Sequence, residues 1–203
     1  MKTSVATYIE VQPAYTSQAI PLLVAYCTHT AAEEGNGRIE ILQEFHRSNR
    51  YVVLEEWNDD ASLQLHDAAK STSDFRVQLR NFQKSPNDQR MHRGFAIGPQ
   101  LDTSSPSTVF VVTHVDVPPP RKDETEILLT KVAGQIRGRD SNSRFDVFQQ
   151  IAPRLNHFTL VAAWADESAF TRHEANAEVR LFREELGPML GALYDERLYR
   201  QIP

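Results

Sequence analysis

The chain contains a single cysteine, Cys27, among its 203 residues, and one cysteine cannot form an internal disulfide bond. It also lacks any run of about 20 apolar residues, the length that a membrane-spanning helix requires. Residues 1–5 lead into a strand pattern and do not resemble a secretory signal. These absences predict a cytoplasmic protein in a reducing environment that makes no contact with membranes.

Positive charge is in deficit, because 22 Lys and Arg face 27 Asp and Glu and give a formal net charge of −5. A chain with this balance has no general attraction for nucleic acid, which is therefore not an expected partner. Glycine-rich phosphate loops, CxxC and HExxH metal spacings and the GxSxG nucleophile elbow are also missing. The sequence consequently predicts no metal site and offers no basis for a nucleotide-dependent enzyme.

An internal repeat is the strongest pattern that the sequence does contain. The segments Asn49–Trp57 and Asn156–Trp164 align at an offset of 107 residues, with Asn at the start and Trp at the end of both. Arg38–Gln43 parallels Arg144–Gln149 at an offset of 106, so a single insertion separates the two blocks. At the offset of 107 there are further matches: Asp59 with Asp166, His66 with His173, Ala68 with Ala175, Phe75 with Phe182, Arg76 with Arg183 and Leu79 with Leu186. Two copies are too few for a solenoid, so the repeat predicts paired domains.

Each copy is predicted to contain the element order βαββαβ. Alternation of apolar and polar residues indicates the strands, and apolar residues at three- and four-residue steps indicate the helices. Gly35-Asn36-Gly37 predicts a turn after the first helix, Asp59 belongs to the predicted N-cap of the second, and Pro21 requires the first helix to begin near Ser17. The predicted strands are residues 3–11, 38–44, 51–56 and 91–97, then 109–117, 144–150, 158–163 and 196–201. The predicted helices are residues 15–33 and 61–82, then 122–137 and 167–186.

This order predicts an α+β fold of tandem duplicated ferredoxin-like modules, each with a four-stranded antiparallel sheet and both helices on one face. The Pro/Ser/Thr-rich residues 99–108 predict a linker between a first domain, residues 1–98, and a second, residues 109–203. The other face of each sheet still carries apolar residues. We therefore expect the two sheets to pair within the chain as a pseudo-dimer, and leave open whether two chains pair further as a homodimer.

Several of these features resemble the antibiotic biosynthesis monooxygenase family, whose members form dimeric α/β barrels. They are the Glu34-Gly35-Asn36 turn, the strand end Leu54-Glu55-Glu56-Trp57, and a Trp-x-Asp-x₆-His pattern that occurs at Trp57, Asp59 and His66 and again at Trp164, Asp166 and His173. The resemblance spans both copies and so nearly the whole chain. It implies an intrachain dimeric α/β barrel with a pocket between sheet and helices.

The resemblance also implies a cofactor-independent monooxygenase that oxidises a small aromatic or polyketide-like substrate with O₂. Such a reaction needs a base or acceptor near the substrate hydroxyl, hydrogen-bond donors for the developing oxyanion, and a dry cavity. Three histidines are candidate catalytic residues: His114, His173 and His66. Four aromatic residues are candidates for substrate binding: Trp57, Trp164, Tyr8 and Phe182.

Other interpretations of these residues stay open. Both Trp residues are also typical of core residues, and His66 and His173 are also typical of residues that fasten a helix to its sheet. The copies differ in their first strands, where Tyr8 and Thr7 of the first copy correspond to His114 and Thr113 of the second. His114 shares a strand face with Val112 and Asp116. If that face points inward, the His114 side chain lies in a pocket, and otherwise it lies in solvent.

Two alternative functions differ in class from a monooxygenase. A non-catalytic ligand-binding or stress-response module of the same fold should be filled by side chains, whereas an enzyme should enclose a cavity. Relatives that degrade haem place an iron-binding histidine about ten residues after the position of His66 or His173. Here Arg76 and Arg183 stand there, and a protonated arginine does not bind iron, so no haem is expected.

Overall fold

A computed structural model describes residues 1–99, 101–139 and 141–203 of the chain. Its internal contacts divide these residues into two units, Met1–His92 with Gln201–Pro203, and Arg93–Arg200. Gln100 falls within the predicted linker and lies outside the described residues. The linker at residues 99–108 and the domain limits beside it therefore stay predictions.

The first module is a four-stranded antiparallel sheet with three helices. In chain order its elements are β1 (Thr3–Glu10), α1 (Thr16–Ala31), β2 (Asn36–Glu44), β3 (Arg50–Trp57), α2 (Asp60–Ala68), α3 (Lys70–Arg80) and β4 (Asp88–Ala96). Strand β1 lies between β3 and β4, and β2 pairs with the far side of β3. The strand order β4-β1-β3-β2 is that of a ferredoxin-like sheet, as the sequence predicts.

The second module repeats this arrangement. Its elements are β5 (Val109–Asp116), α4 (Lys122–Ile136), β6 (Asn142–Gln150), β7 (His157–Trp164), α5 (Glu167–Glu174), α6 (Ala177–Leu186) and β8 (Asp195–Gln201). The strand order is β8-β5-β7-β6, again antiparallel throughout. Elements as far as β2 and β6 begin 106 residues apart, and those from β3 and β7 onward begin 107 apart. This confirms the duplication and pairs each residue of one module with a counterpart in the other.

The prediction of one continuous second helix in each module is wrong. The helix is broken at Ala69, which has extended backbone angles of φ −66° and ψ 143°, and at Asn176, with φ −70° and ψ 136°. An extended residue interrupts the i to i−4 hydrogen bonds, and the Asn176 side chain caps the new helix by accepting from the backbone N–H of Glu178. No glycine or proline marks either break in the sequence.

The termini of the other elements follow their local sequence chemistry. Asp59 and Asp166 cap α2 and α5 by accepting from the backbone N–H groups three residues ahead. Gly35 has φ +87°, and a Cβ there would lie 2.3 Å from Ser62 Oγ, so the turn after α1 needs glycine. Helix α1 begins at Thr16, one residue before Ser17, near which its start is predicted. Pro21 therefore lies inside the helix, just beyond its first turn. Among the described residues, no helix is both long and apolar enough to cross a membrane.

The core of each module lies between its sheet and its helices. In the first module it contains the buried residues Ile9, Val11, Ala19, Leu23, Ile41, Tyr51, Val53, Phe75 and Leu79. Because side chains alternate along a strand, Val5, Thr7 and Ile9 of β1 face the helices, whereas Tyr8 faces the other way. By the same alternation Val111 and Thr113 of β5 face the helices and His114 does not.

Candidate functional site

A buried contact between tryptophan and histidine occurs in both modules with the same geometry. The ring centroids of Trp57 and His66 lie 4.7 Å apart with an interplanar angle of 37°. Those of Trp164 and His173 lie 4.7 Å apart at 38°. The two residues match between copies because they join the end of a strand to the helix that follows it.

In the first module this contact belongs to a chain of buried hydrogen bonds. Trp57 Nε1 donates to Glu55 Oε2 over 2.9 Å, and the Tyr26 hydroxyl donates to Glu55 Oε1 over 3.0 Å. The same hydroxyl lies 2.9 Å from His66 Nε2, and His66 Nδ1 lies 2.8 Å from Glu33 Oε2. Apart from Glu33 Oε1, the polar side-chain atoms of this network each have a partner, and such pairing stabilises a buried network.

The Tyr26 phenol fills the inner part of the first module. Its ring stacks on Phe75, with centroids 3.9 Å apart and an interplanar angle of 13°. Burial raises the pKa of the phenol, and the nearby Glu55 carboxylate raises it further, so Tyr26 keeps its proton at neutral pH. Burial also raises the pKa of Glu55.

The second module lacks three members of this network. Val132 stands at the position of Tyr26, Ala162 at that of Glu55, and Arg139 at that of Glu33. Trp164 is as buried as its counterpart, but its Nε1 has no hydrogen-bond partner among the described residues. A buried donor without an acceptor is uncommon in native structures and calls for an explanation.

Two small cavities, of about 30 Å³ and about 20 Å³, lie in this part of the second module. Ile136, His173, Val179 and Phe182 line both, and Ala162 and Trp164 line the larger. We call these two spaces together the inner cavity. Its walls are mainly apolar, and it corresponds to the region that Tyr26 and Glu55 fill in the first module.

A polar cluster lines one side of the larger space, and we call it the Arg183 cluster. Arg183 Nη2 donates to Glu174 Oε1 over 2.8 Å and to Glu196 Oε1 over 3.0 Å. The Tyr194 hydroxyl donates to Glu196 Oε2 over 3.0 Å, and the Arg183 guanidinium carbon lies 5.5 Å from the Tyr194 ring centroid. Burial raises the pKa of Glu196, and Glu174 beside it adds to the effect.

The first module is open where the second carries this cluster. Its cavity there has a volume of about 280 Å³ and is lined by Thr7, Tyr26, Phe75, Arg76, Arg80, Gln83, Pro86, Asn87 and Gln89. We call this space the outer groove. Asn87 and Gln89 are the counterparts of Tyr194 and Glu196. The modules thus differ in opposite ways. The first module is filled where the second has the inner cavity, and it is open where the second carries the Arg183 cluster.

The candidate residues separate into two groups. Those on the helix side come together, with His66 beside Trp57 in one module and His173, Trp164 and Phe182 around the inner cavity in the other. The first-strand candidates, Tyr8 and His114, lie on the sheet faces that point away from the helices. His114 Nδ1 lies 3.3 Å from Thr159 Oγ1, and the Tyr8 ring lies 5.2 Å from the guanidinium carbon of Arg90. The catalytic and binding roles of all seven stay predictions.

Sequence reasoning missed Tyr26 and Glu55, although one signal for Glu55 was present. Strand alternation places Glu55 on the same face as Val53 and Trp57, and an acidic residue on an apolar face marks a buried polar contact. No comparable signal distinguishes Tyr26 from the other apolar positions of α1.

The raised pKa of Glu55 predicts how stability depends on pH. An acid whose pKa is higher in the folded than in the unfolded chain makes the unfolding free energy fall as pH rises from about 4.5 to the folded value. Each pH unit by which folding raises this pKa lowers the unfolding free energy at high pH by about 1.4 kcal/mol. Glu55→Gln keeps an acceptor for Trp57 and removes this titration, so its unfolding free energy should fall less between pH 4 and 8. Urea unfolding at both pH values measures the difference, and an equal fall in the two proteins would contradict the assignment.

Comparison with known proteins places these modules in a family. The family model described as antibiotic biosynthesis monooxygenase matches residues 3–78 and 108–185. A Bacillus subtilis protein described as "Putative monooxygenase YcnE" is 26% identical over 81 residues, which cover 40% of this chain and 85% of the relative. Among the described residues, no group of three or more His, Cys, Asp or Glu is arranged to hold a metal ion.

Several solved structures match almost the whole chain, and two of them serve as examples. One from Fusobacterium nucleatum, described as a "Putative monooxygenase", has a TM-score of 0.88 at 12% identity and covers 100% of this chain and 93% of its own. One from Lactobacillus acidophilus, with the same description, has a TM-score of 0.77 at 14% identity and covers 98% and 93%. At such low identity these likenesses show the fold alone. Together with the family matches they confirm the predicted α+β fold of tandem duplicated ferredoxin-like modules.

Proposed function

The chain belongs to the antibiotic biosynthesis monooxygenase family, and on this premise we propose that its second module oxidises a small phenol with O₂. The supporting observation is the difference between the modules. Where the first module holds the phenol of Tyr26 against Phe75 and His66, the second has Val132 and the inner cavity. Tyr26 thus serves as an internal example of how a phenol fits beside this histidine.

The geometry around Tyr26 suggests a pose for the substrate in the second module. Its ring would stack on Phe182, the counterpart of Phe75, and its hydroxyl would point to His173, the counterpart of His66. In the first module, a Glu55 oxygen accepts from Trp57 Nε1. In the second that oxygen is missing, so a second oxygen on the substrate would accept from Trp164. The substrate class that fits is therefore a single-ring phenol with an oxygen on the neighbouring carbon.

Each residue has a defined chemical role in this proposal. A neutral imidazole nitrogen of His173 takes the phenol proton, and the Trp164 N–H stabilises negative charge on the substrate oxygens. The phenolate gives one electron to O₂, the two radicals combine at a ring carbon, and loss of water leaves a quinone. The balance is one phenol and one O₂ to one quinone and one water, with O₂ as the oxidant and no added cofactor.

Substrate entry requires a movement in this proposal. Ligand cavities commonly have volumes of about 300–1,000 Å³, and the inner cavity is much smaller. The Arg183 cluster lines it on one side and is held by hydrogen bonds and one ring contact. Side chains of this kind can swing outward on the time scale of enzyme turnover and close over the bound ring.

Oxygen uptake tests the proposal directly. We expect the wild-type protein to consume O₂ with catechol-like and ortho-acyl phenols and to form quinone and water in equal amounts. His173→Gln should lower kcat/KM about 100-fold because the base is lost. His66→Gln is the matched control in the filled module and should change kcat/KM less than twofold. Absence of uptake with the whole panel, or equal losses in the two variants, would refute the assignment.

A further inference from the structure

We infer that the outer groove of the first module binds a small aromatic carboxylate. No residue of this groove has a part in the proposed oxidation, and the inference does not depend on it. The groove volume of about 280 Å³ approaches the lower end of the usual range for ligand cavities. Its lining combines an aromatic floor, made by the stacked rings of Tyr26 and Phe75, with guanidinium, amide and hydroxyl groups.

The second module supplies the pattern for this ligand from its own side chains. There Arg183 bonds the Glu196 carboxylate, and the Tyr194 ring lies against the same guanidinium. A carboxylate and an aromatic ring therefore occupy that module's counterpart of the groove. In the first module Gln89 and Asn87 replace them, and neither supplies a negative charge or a ring.

The charges in the groove leave one position for an anion. Arg76 pairs with Asp67 as Arg183 pairs with Glu174, but no second carboxylate of the described residues pairs with it as Glu196 pairs with Arg183. Arg80 is exposed and has no partner among the described residues. A ligand carboxylate on Arg76 would take the place of Glu196 and gain the charge-assisted hydrogen bonds that guanidinium groups form with carboxylates. Its ring would lie where Tyr194 lies in the second module.

The amide side chains add selectivity for a planar ligand of modest size. Asn87 Oδ1 accepts a hydrogen bond from Gln83 Nε2, which leaves the Asn87 amide group fixed at the edge of the groove. Thr7 contributes a hydroxyl from the sheet beneath. These groups can bond a ring substituent or the second carboxylate oxygen, whereas an aliphatic anion would leave the aromatic floor uncovered.

Calorimetric titration with benzoate as the probe tests the inference. We expect one benzoate to bind per chain with a Kd below about 1 mM. A ligand of about nine non-hydrogen atoms can reach this affinity. Arg76→Gln should weaken binding at least tenfold, and so should Gln89→Glu, which supplies the missing carboxylate within the chain. Arg183→Gln is the matched control and should change the Kd less than twofold. Benzamide should bind at least tenfold more weakly than benzoate, and inorganic phosphate should not compete.

Three results would overturn the inference: no heat with 10 mM benzoate, unchanged binding in both Arg76→Gln and Gln89→Glu, or loss of binding in Arg183→Gln. Thermal unfolding of each variant shows whether it is folded, and Gln89→Glu should be at least as stable as wild type because it pairs with Arg76. Neither first-module variant should alter oxygen uptake. Failure of benzoate binding is thereby distinguishable from failure of the proposed oxidation.

Discussion

The double variant Val132→Tyr/Ala162→Glu should lose oxygen uptake by about 10³-fold or more. It gives the second module the two side chains that fill the first, so the phenol of residue 132 occupies the substrate position and the new carboxylate accepts from Trp164. Both the base and the oxyanion donor are then occupied by the chain itself, and each alone is worth about 10² or more in rate. Oxygen-electrode rates with the best substrate of the phenol panel measure the loss.

The reciprocal variant Tyr26→Val/Glu55→Ala is the matched control. It empties the first module and leaves the second unchanged, so oxygen uptake should not fall below half of the wild-type rate. Circular dichroism and thermal melting show whether both variants are folded, since adding a phenol to a cavity this small requires some repacking. A folded Val132→Tyr/Ala162→Glu variant that retains more than a tenth of the wild-type rate would contradict the placement of the active site.

These experiments depend on a comparison that the sequence makes possible only in part. The matched Trp57 and Trp164, with His66 and His173, could be found from spacing alone, and they do form equivalent contacts. The identity of the residues around them could not be found. Tyr26 and Glu55 lie 29 residues apart in the chain, and they meet only because α1 packs over β3 in one particular register.

The position of the first-strand residues shows a second limit of sequence patterns. Alternation correctly places His114 on the same strand face as Val112, and it also predicts which residues share a face with Tyr8. It does not tell which face meets the helices, because the side chains of both faces repeat every two residues. Which face meets the helices is decided by packing of the whole module. The break at Ala69 has a similar origin, because alanine favours helix and only the tertiary structure holds this residue extended.

The two tryptophans should respond in opposite ways to replacement by phenylalanine. Trp164→Phe removes an N–H that has no partner among the described residues, so it should lower kcat about 100-fold as an oxyanion donor is lost and should cost little stability. Trp57→Phe removes the donor to Glu55 and leaves a buried carboxyl oxygen unsatisfied. It should lower the unfolding free energy by about 1–3 kcal/mol more than Trp164→Phe and leave kcat unchanged.

Each tryptophan variant is the control for the other, because both remove the same volume from a buried site at the end of a strand. The difference between their unfolding free energies, from urea denaturation at pH 7, therefore isolates the hydrogen bond to Glu55. The ratio of their kcat values isolates the contribution of the unpaired N–H to the reaction. If Trp164→Phe instead lost as much stability as Trp57→Phe and kept full activity, Trp164 would be a core residue like its counterpart, and the inner cavity would have no catalytic donor.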